Sequence, residues 1–307
     1  MCKISVLMSV YNEKISDIEK SLNSMIKQTI SDIEIIIVND NPAREELKNY
    51  INSFHDERII YIENGTNIGL AMSMNVAAKV ASGEFLARMD ADDISDVSRF
   101  EKTINYMQEH NLDYACTGYK FIDENDDFVE KNIRKFDNKT IDKLLPYCNP
   151  IHHPTVMMKK TCFDAVGGYR DFPCAQDYDL WLRLHDKGYK VGIVEDILLL
   201  YRIRSGSVTN KKRVQQFYTQ VYARKLSEER KKNLVDTYSV ENYECFMKKN
   251  RVYDEAYINR VEELRKTKEK GGKLYIIGLI LKNRYFRDYY LAGIKSRLLE
   301  KKVRLLG

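Results

Sequence analysis

Nowhere in its 307 residues does the chain hold the roughly 18 to 20 consecutive apolar residues that a membrane-spanning helix needs. Met1 to Val10 runs straight into a strand-like stretch, with no charged leader followed by an apolar signal segment. A cytosolic protein is therefore expected, peripheral at most on the inner face of a membrane. The six cysteines, Cys2, Cys116, Cys148, Cys162, Cys174 and Cys245, form no CxxC pair, which argues against a thiolate zinc site and against a disulfide framework. There is no internal repeat and no low-complexity stretch. Near the N-terminus there is also no Gly-rich phosphate loop followed by Arg or Lys, so a nucleotidyltransferase is disfavoured.

Net positive charge is confined to the tail. The net charge is +5, yet residues 273–307 hold nine Lys or Arg against Asp288 and Glu300, a surplus of seven that leaves −2 for the rest. Nucleic acid is thus not an expected partner of the main domain. A basic tail suits either an anionic membrane surface or a solvated helical face.

What is present is an alternating pattern. Ile4–Val10 and 33–38 are β-branched runs, and between them Ile15, Ile18, Leu22, Met25 and Ile26 recur at helical spacing. A helix near 43–54, a strand at 59–62, a helix at 70–81 and a strand at 84–89 continue the rhythm. The pattern predicts an α/β fold with a mostly parallel, doubly wound sheet, whose ligands gather at the strands' C-terminal ends. Beyond residue 89 it predicts a helix around 96–109, strands at 114–117 and 119–122, and a hairpin turn at 123–127 before Phe128 and Val129. A helix near 140–147, a strand near 155–158, a helix over 178–187 and strands near 191–194 and 198–203 follow. From about residue 210 the chain turns helical and highly charged, with Gly271-Gly272 as a break. Two units result: a catalytic domain over 1–210 and a helical, basic extension over 211–307, with the boundary near 208–214.

Two acidic clusters carry the chemistry. Asp90-Ala91-Asp92-Asp93 directly follows an apolar strand, so carboxylate oxygens crowd its C-terminal tip, where they suit Mg²⁺ or Mn²⁺. An Asp-rich turn or a helix cap is the ordinary alternative. Asp177-Tyr178-Asp179 opens a helix after Gly167-Gly168-Tyr169-Arg170. One cluster would hold a cation that screens a leaving diphosphate, and the other would accept the proton of an attacking hydroxyl. Capping the helix of Trp181 is the competing role, and for Asp179 the better one.

The order VLMSVYNE (residues 6–13), EIIIVND (34–40), NIG (67–69), ARMDADD (87–93), GGYR (167–170) and QDYDLWLR (176–183) resembles glycosyltransferase family 2 over roughly the first 205 residues. The resemblance implies a GT-A fold, an inverting mechanism and a nucleotide-sugar donor, most often a UDP-sugar. By that resemblance Val10, Tyr11 and Asn12 line the nucleoside pocket and Asn39 and Asp40 meet the base, although many members have two acidic residues there. Asn67 and Gly69 approach the donor, and Arg88 faces its phosphate or sugar unless it pairs internally with an aspartate. Asp92 makes the direct metal bond, Asp90 contacts ribose or metal-bound water, and Asp93 is a lesser contributor. Asp177 is the base, with Gln176 where Glu is more common, a change expected to lower its proton affinity.

His153, in His152-His153-Pro154, borders the acceptor side in relatives, together with Asp179. In the segment Tyr201 to Ser207, Arg204 stands where many members have a His, which makes Arg202 and Arg204 candidates to clamp a diphosphate. The acceptor would be a saccharide or lipid-linked saccharide in surface polysaccharide or glycolipid synthesis. Residues 274–281 with Tyr285, Phe286, Tyr289, Tyr290 and Leu291 would form either interfacial helices or a face packed on the catalytic domain or on a second subunit of a homodimer. A nucleotide-sugar-binding protein without catalysis, and a membrane-recruited scaffold, are the rival functions.

Overall fold

The structure, a computed structural model, describes residues 3–130, 137–138, 140–204, 212–268, 278, 280–281 and 283–306. Gly271-Gly272, Ser205 to Ser207, most of the boundary at 208–214 and most of the apolar stretch 274–281 lie outside the described residues.

The N-terminal half follows the expected α/β rhythm: β1 (Ile4–Val10), α1 (Ile15–Ile26), β2 (Ile33–Asn39), α2 (Glu45–Asn52), β3 (Ile59–Glu63), α3 (Leu70–Val80) and β4 (Phe85–Asp90). Strands β1 and β2 read as nearly unbroken apolar runs because each lies between two parallel neighbours and is covered on both faces. Ile18, Leu22 and Met25, on one face of α1, are fully buried against them. The sheet order β3-β2-β1-β4 sets Val10 beside Asn39, Asn39 beside Glu63 and Ser9 beside Asp90, so the strands end in line.

The second half adds β5 (Ile94–Ser95), α4 (Arg99–Glu109), β6 (Tyr114–Ile122), β7 (Phe128–Val129), α5 (Ile141–Leu144), β8 (Met157–Lys159), α6 (Lys160–Ala165), α7 (Gln176–Asp186) and β9 (Val191–Arg202). Here the sheet becomes mixed: β8 runs antiparallel to both β4 and β6, while β6 and β9 are parallel. Strands β6 and β9, each expected as two pieces, are continuous. Their register shifts around Gly118, where a β-carbon would lie 2.7 Å from the Asp196 carbonyl oxygen, and that irregularity interrupts the apolar alternation. The two-residue β5 and the short α6 carry too few residues to show a period.

The extension supplies α8 (Arg213–Asn233), α9 (Val240–Lys249), α10 (Glu255–Lys268) and α11 (Arg284–Leu306). Tyr218, Tyr222, Leu226, Tyr243, Met247, Tyr285 and Phe286 form a core of their own, completed by Phe172 from the catalytic part. Ion pairs fasten α8 to α7. Asp236, after α8, accepts from Arg170 at 2.9 and 3.0 Å and pairs with Arg230, whose Nε also donates to Asp186 at 2.8 Å.

Removing the Asp236 carboxylate leaves Arg170 only its longer pair with Asp179 and Arg230 only its pair with Asp186. Asp236→Ala is expected to lower unfolding free energy by about 3 kcal/mol in urea titration, with Asp236→Asn losing less because it keeps an acceptor.

Candidate active site

At the strand tips, Asp40 is buried and its carboxylate is committed. It accepts from Ile68 N at 2.8 Å, Asn64 Nδ2 at 2.9 Å and Gly69 N at 2.9 Å. Asn39, fully buried, donates to the Tyr61 hydroxyl at 3.0 Å and accepts from Asn41 N at 3.0 Å. These residues therefore shape the loop at 64–69, and their polar atoms are engaged within the protein in this arrangement. Val10 is likewise a core side chain, reaching the tip only through its carbonyl, which accepts from Asp40 N. Tyr11, 43% exposed, and Asn12 are the open side chains here. Asn67 and Gly69 build the entry to α3: Asn67 Oδ1 accepts from Gly69 N, and Gly69 holds φ 83°, a value that favours glycine. No atom lies within 4 Å of where a β-carbon would stand, so the turn, and not crowding, calls for glycine at this position.

The acidic tip of β4 gathers more charge than the motif alone shows. Arg88 is buried and pairs with Asp90 Oδ1, and its guanidinium also meets the Leu7 and Met89 carbonyls, so it braces β4 from within. The internal pair anticipated as its alternative role is what forms. Asp92 faces Arg204 at 3.0 Å, and Arg204 reaches Asp17 at 3.0 Å. Burial, reinforced by the like charge of Asp90, raises the Asp92 pKa to about 7, with Glu13 adding to the rise and Arg204 opposing it. Burial likewise lifts Asp93 well above the carboxylate range; one of its oxygens accepts from Arg202 N at 2.9 Å and the other has no hydrogen-bond partner.

Arg202 departs from its expected role. Its side chain is fully buried and divides its donors among the Asp92 carbonyl (2.9 Å), the Asp123 carbonyl (2.8 Å) and Asp126 (2.6 Å). It ties the hairpin at 123–127 to the acidic loop and is not placed to clamp a diphosphate. Arg204, by contrast, keeps partial exposure beside Asp92.

Asp177 occupies the first turn of α7, half-buried, accepting from Asn149 Nδ2 at 2.9 Å. Its pKa is raised, by burial first and also by the charge of Asp90, while Asn149 opposes the shift. The helix is entered through Ala175 in a left-handed conformation, φ 54°, which costs a non-glycine residue roughly 1 kcal/mol and turns the chain abruptly into α7. Asp179, two residues on, points elsewhere. It is fully buried between Arg183 (2.8 Å) and Arg170 (3.5 Å), which removes it from an acceptor surface and makes it part of the α7 ion-pair network.

His153 is held by aromatic neighbours: its Nε2 lies 2.7 Å from the Tyr169 hydroxyl and its ring packs edge-on to Tyr169 and Trp181. Burial and the nearby Arg88 hold it neutral, well below the usual histidine range. Three contributors carried little sequence signal. Glu13 sits in the VYNE stretch, Asp17 is masked within an amphipathic helix, and Asn149 lies in a loop with no motif. Among the described residues no three His, Cys, Asp or Glu side chains converge as a ready-made metal cage.

The model of the family described as glycosyl transferase family 2 matches residues 5–167. The chain belongs to glycosyltransferase family 2. An uncharacterised glycosyltransferase of Methanocaldococcus jannaschii is 34% identical over 224 residues, covering 70% of this chain and 77% of its own. The Escherichia coli protein named UDP-Glc:alpha-D-GlcNAc-diphosphoundecaprenol beta-1,3-glucosyltransferase WfaP is 30% identical over 212 residues, 68% of this chain and 80% of its own. Among solved structures, S. aureus TarS in complex with UDP-GlcNAc superposes with a TM-score of 0.62 at 18% identity, covering 80% of this chain and 70% of that one. The fold of this glycosyltransferase is GT-A, a mixed α/β sheet flanked by helices.

One consequence is open to titration. His153 binds its proton more weakly folded than unfolded, so its contribution to stability is complete above pH 6.5 and is lost as pH falls toward the folded value. Thermal unfolding between pH 7 and pH 5 (roughly the histidine range) should show a falling Tm for the wild type, with a shallower slope for His153→Gln.

Proposed function

We propose that this glycosyltransferase is an inverting enzyme that moves a sugar from a UDP-sugar to the hydroxyl of a saccharide or lipid-linked saccharide in surface polysaccharide assembly. The observation that carries this reading is the opposition of two carboxylate sites: Asp177 on α7 lies close enough to the β4 tip for Asp90 to raise its proton affinity. A base needs a proton affinity above that of an exposed carboxylate, and burial supplies it. Asp177 takes the proton of the acceptor hydroxyl, and Asn149 holds the carboxylate in place while it does so. The acceptor oxygen then forms a bond to the anomeric carbon as the bond to the diphosphate breaks on the opposite side, which inverts the configuration. Arg204, partly exposed beside Asp92, would meet charge developing on the departing diphosphate.

The β4 tip fits a divalent cation of the kind held by one or two carboxylates and completed by donor phosphates. The fit rests on the crowding of partly buried Asp90 and Asp92 beside fully buried Asp93, and on the unsatisfied oxygen of Asp93. Asp92, with Asp90, would hold Mg²⁺ or Mn²⁺, which when bound supplies screening of the diphosphate charge. The UDP donor is supported by the ligand of TarS, and a lipid-linked acceptor by the name of WfaP.

Calorimetric titration of UDP with and without Mn²⁺ should give saturable, cation-dependent binding that Asp92→Ala abolishes. Asp177→Asn should keep that binding while transfer falls by about 10² to 10⁴. Donor binding with no turnover against any acceptor would support a non-catalytic nucleotide-sugar-binding protein; no UDP binding under any condition would overturn the donor assignment.

A further inference from the structure

Helix α11 has two unlike sides. One side settles part of the sequence expectation in favour of packing: Tyr285 and Phe286 are buried in the extension's core, and Ser296 is buried as well. At 3.6 residues per turn the opposite side collects Arg284, Arg287, Leu291, Ile294, Lys295, Leu298, Lys301 and Lys302 within roughly a third of the circumference. Every one of these residues is exposed. Leu291, Ile294 and Leu298 are 57%, 52% and 63% exposed, at i, i+3 and i+7, so they form one stripe. Five cations flank it. The two acids of the helix stand off this stripe: Asp288 at its border is half-buried, paired with Arg284 at 3.5 Å and Arg287 at 3.9 Å, and Glu300 faces away. Lys295 rests with its Nζ 5.5 Å from the Tyr147 ring, leaving Lys301 and Lys302 as the dense basic end.

An exposed aliphatic stripe costs free energy in water, and neighbouring lysines would repel a second basic copy of the same face. An anionic bilayer resolves both terms at once: the aliphatic side chains enter the acyl boundary while lysine stems reach up to lipid phosphates. No helix among the described residues is long and apolar enough to cross a membrane, so such a contact would be lateral. We propose that α11 is an interfacial helix that docks the protein onto an anionic lipid surface through Leu291, Ile294 and Leu298 with Lys295, Lys301 and Lys302. This surface stands independently of the donor and the base assigned above.

The test is co-sedimentation of the full chain with vesicles of phosphatidylcholine alone and with phosphatidylglycerol added, at low and high ionic strength. Binding is expected only to the anionic vesicles and should weaken with salt. The triple variant Leu291→Ser, Ile294→Ser, Leu298→Ser and the triple variant Lys295→Glu, Lys301→Glu, Lys302→Glu should each bind at least about tenfold more weakly, because each lysine near such a surface contributes about 1 kcal/mol. Lys248→Glu with Lys249→Glu on α9 should bind like the wild type. Circular dichroism and UDP titration establish that the variants remain folded. Equal binding to neutral vesicles, no binding at all, or undiminished binding by either triple variant would overturn the proposal. So would light scattering that shows a dimer dissociated by the serine variant, which would assign the face to a second copy of the chain.

Discussion

The constraint on which the rest of this molecule depends is the burial of acid at the end of β4. Burial raises the proton affinity of Asp92 and Asp93, and with Asp90 beside them and Glu13 and Asp17 arriving from the β1 to α1 segment, the position calls for opposing charge. The chain answers with arginines drawn from distant segments. Arg88 braces the strand from within, Arg202 and Arg204 arrive at the end of β9, and the hairpin after β6 supplies the Asp123 carbonyl and Asp126 to complete the coordination of Arg202. Residues separated by more than a hundred positions are thereby held together, and the mixed half of the sheet is fixed to the parallel half at the place where chemistry is expected.

The division of labour among the arginines follows from their exposure. A guanidinium with no solvent access and its donors distributed over carbonyls and a carboxylate is a structural tie, and moving it toward a ligand would leave those acceptors unpaired. Arg202 is such a tie and Arg99 is another: fully buried, with its pKa lowered to about 10 by burial, it donates to the Arg88 and Pro154 carbonyls at 2.7 and 2.8 Å. Arg204 differs because it keeps partial access and pairs with a carboxylate that a cation could claim. Were Asp92 to hold the proposed cation, Arg204 would be the partly exposed guanidinium beside it available to a phosphate.

Much of the fold was legible because each early element carries a period that only one structure satisfies. Ile18, Leu22 and Met25 mark a helix face, and the unbroken apolar runs of β1 and β2 mark strands covered on both sides. Legibility failed where tertiary geometry overrides local pattern. The shift at Gly118 split one strand into two on paper, and β5 exists only because β9 offers it a partner. At the site, residue type and order pointed to the right neighbourhood, but they could not tell a carboxylate that faces a cleft from one that faces an arginine. Asp177 and Asp179 are two residues apart on one helix, and their different surroundings come from Asn149 on one side and from Arg170 and Arg183 on the other. Asp40 likewise turned inward because three donors of the loop at 64–69 converge on it.

The extension then takes on a meaning that its composition did not suggest. The helix that carries Asp177 is held from below by Asp186 and, through Arg170, by Asp236, and both acids are tied by Arg230 of α8. Any displacement of α8 is transmitted to α7 through charged groups that cannot be left unpaired without cost. Helix α11 shares the aromatic core of α8 through Tyr285 beside Phe217 and Tyr218. Packed side chains of α8 and the ion pairs at Asp186 and Asp236 thus lie between α11 and the helix that carries Asp177.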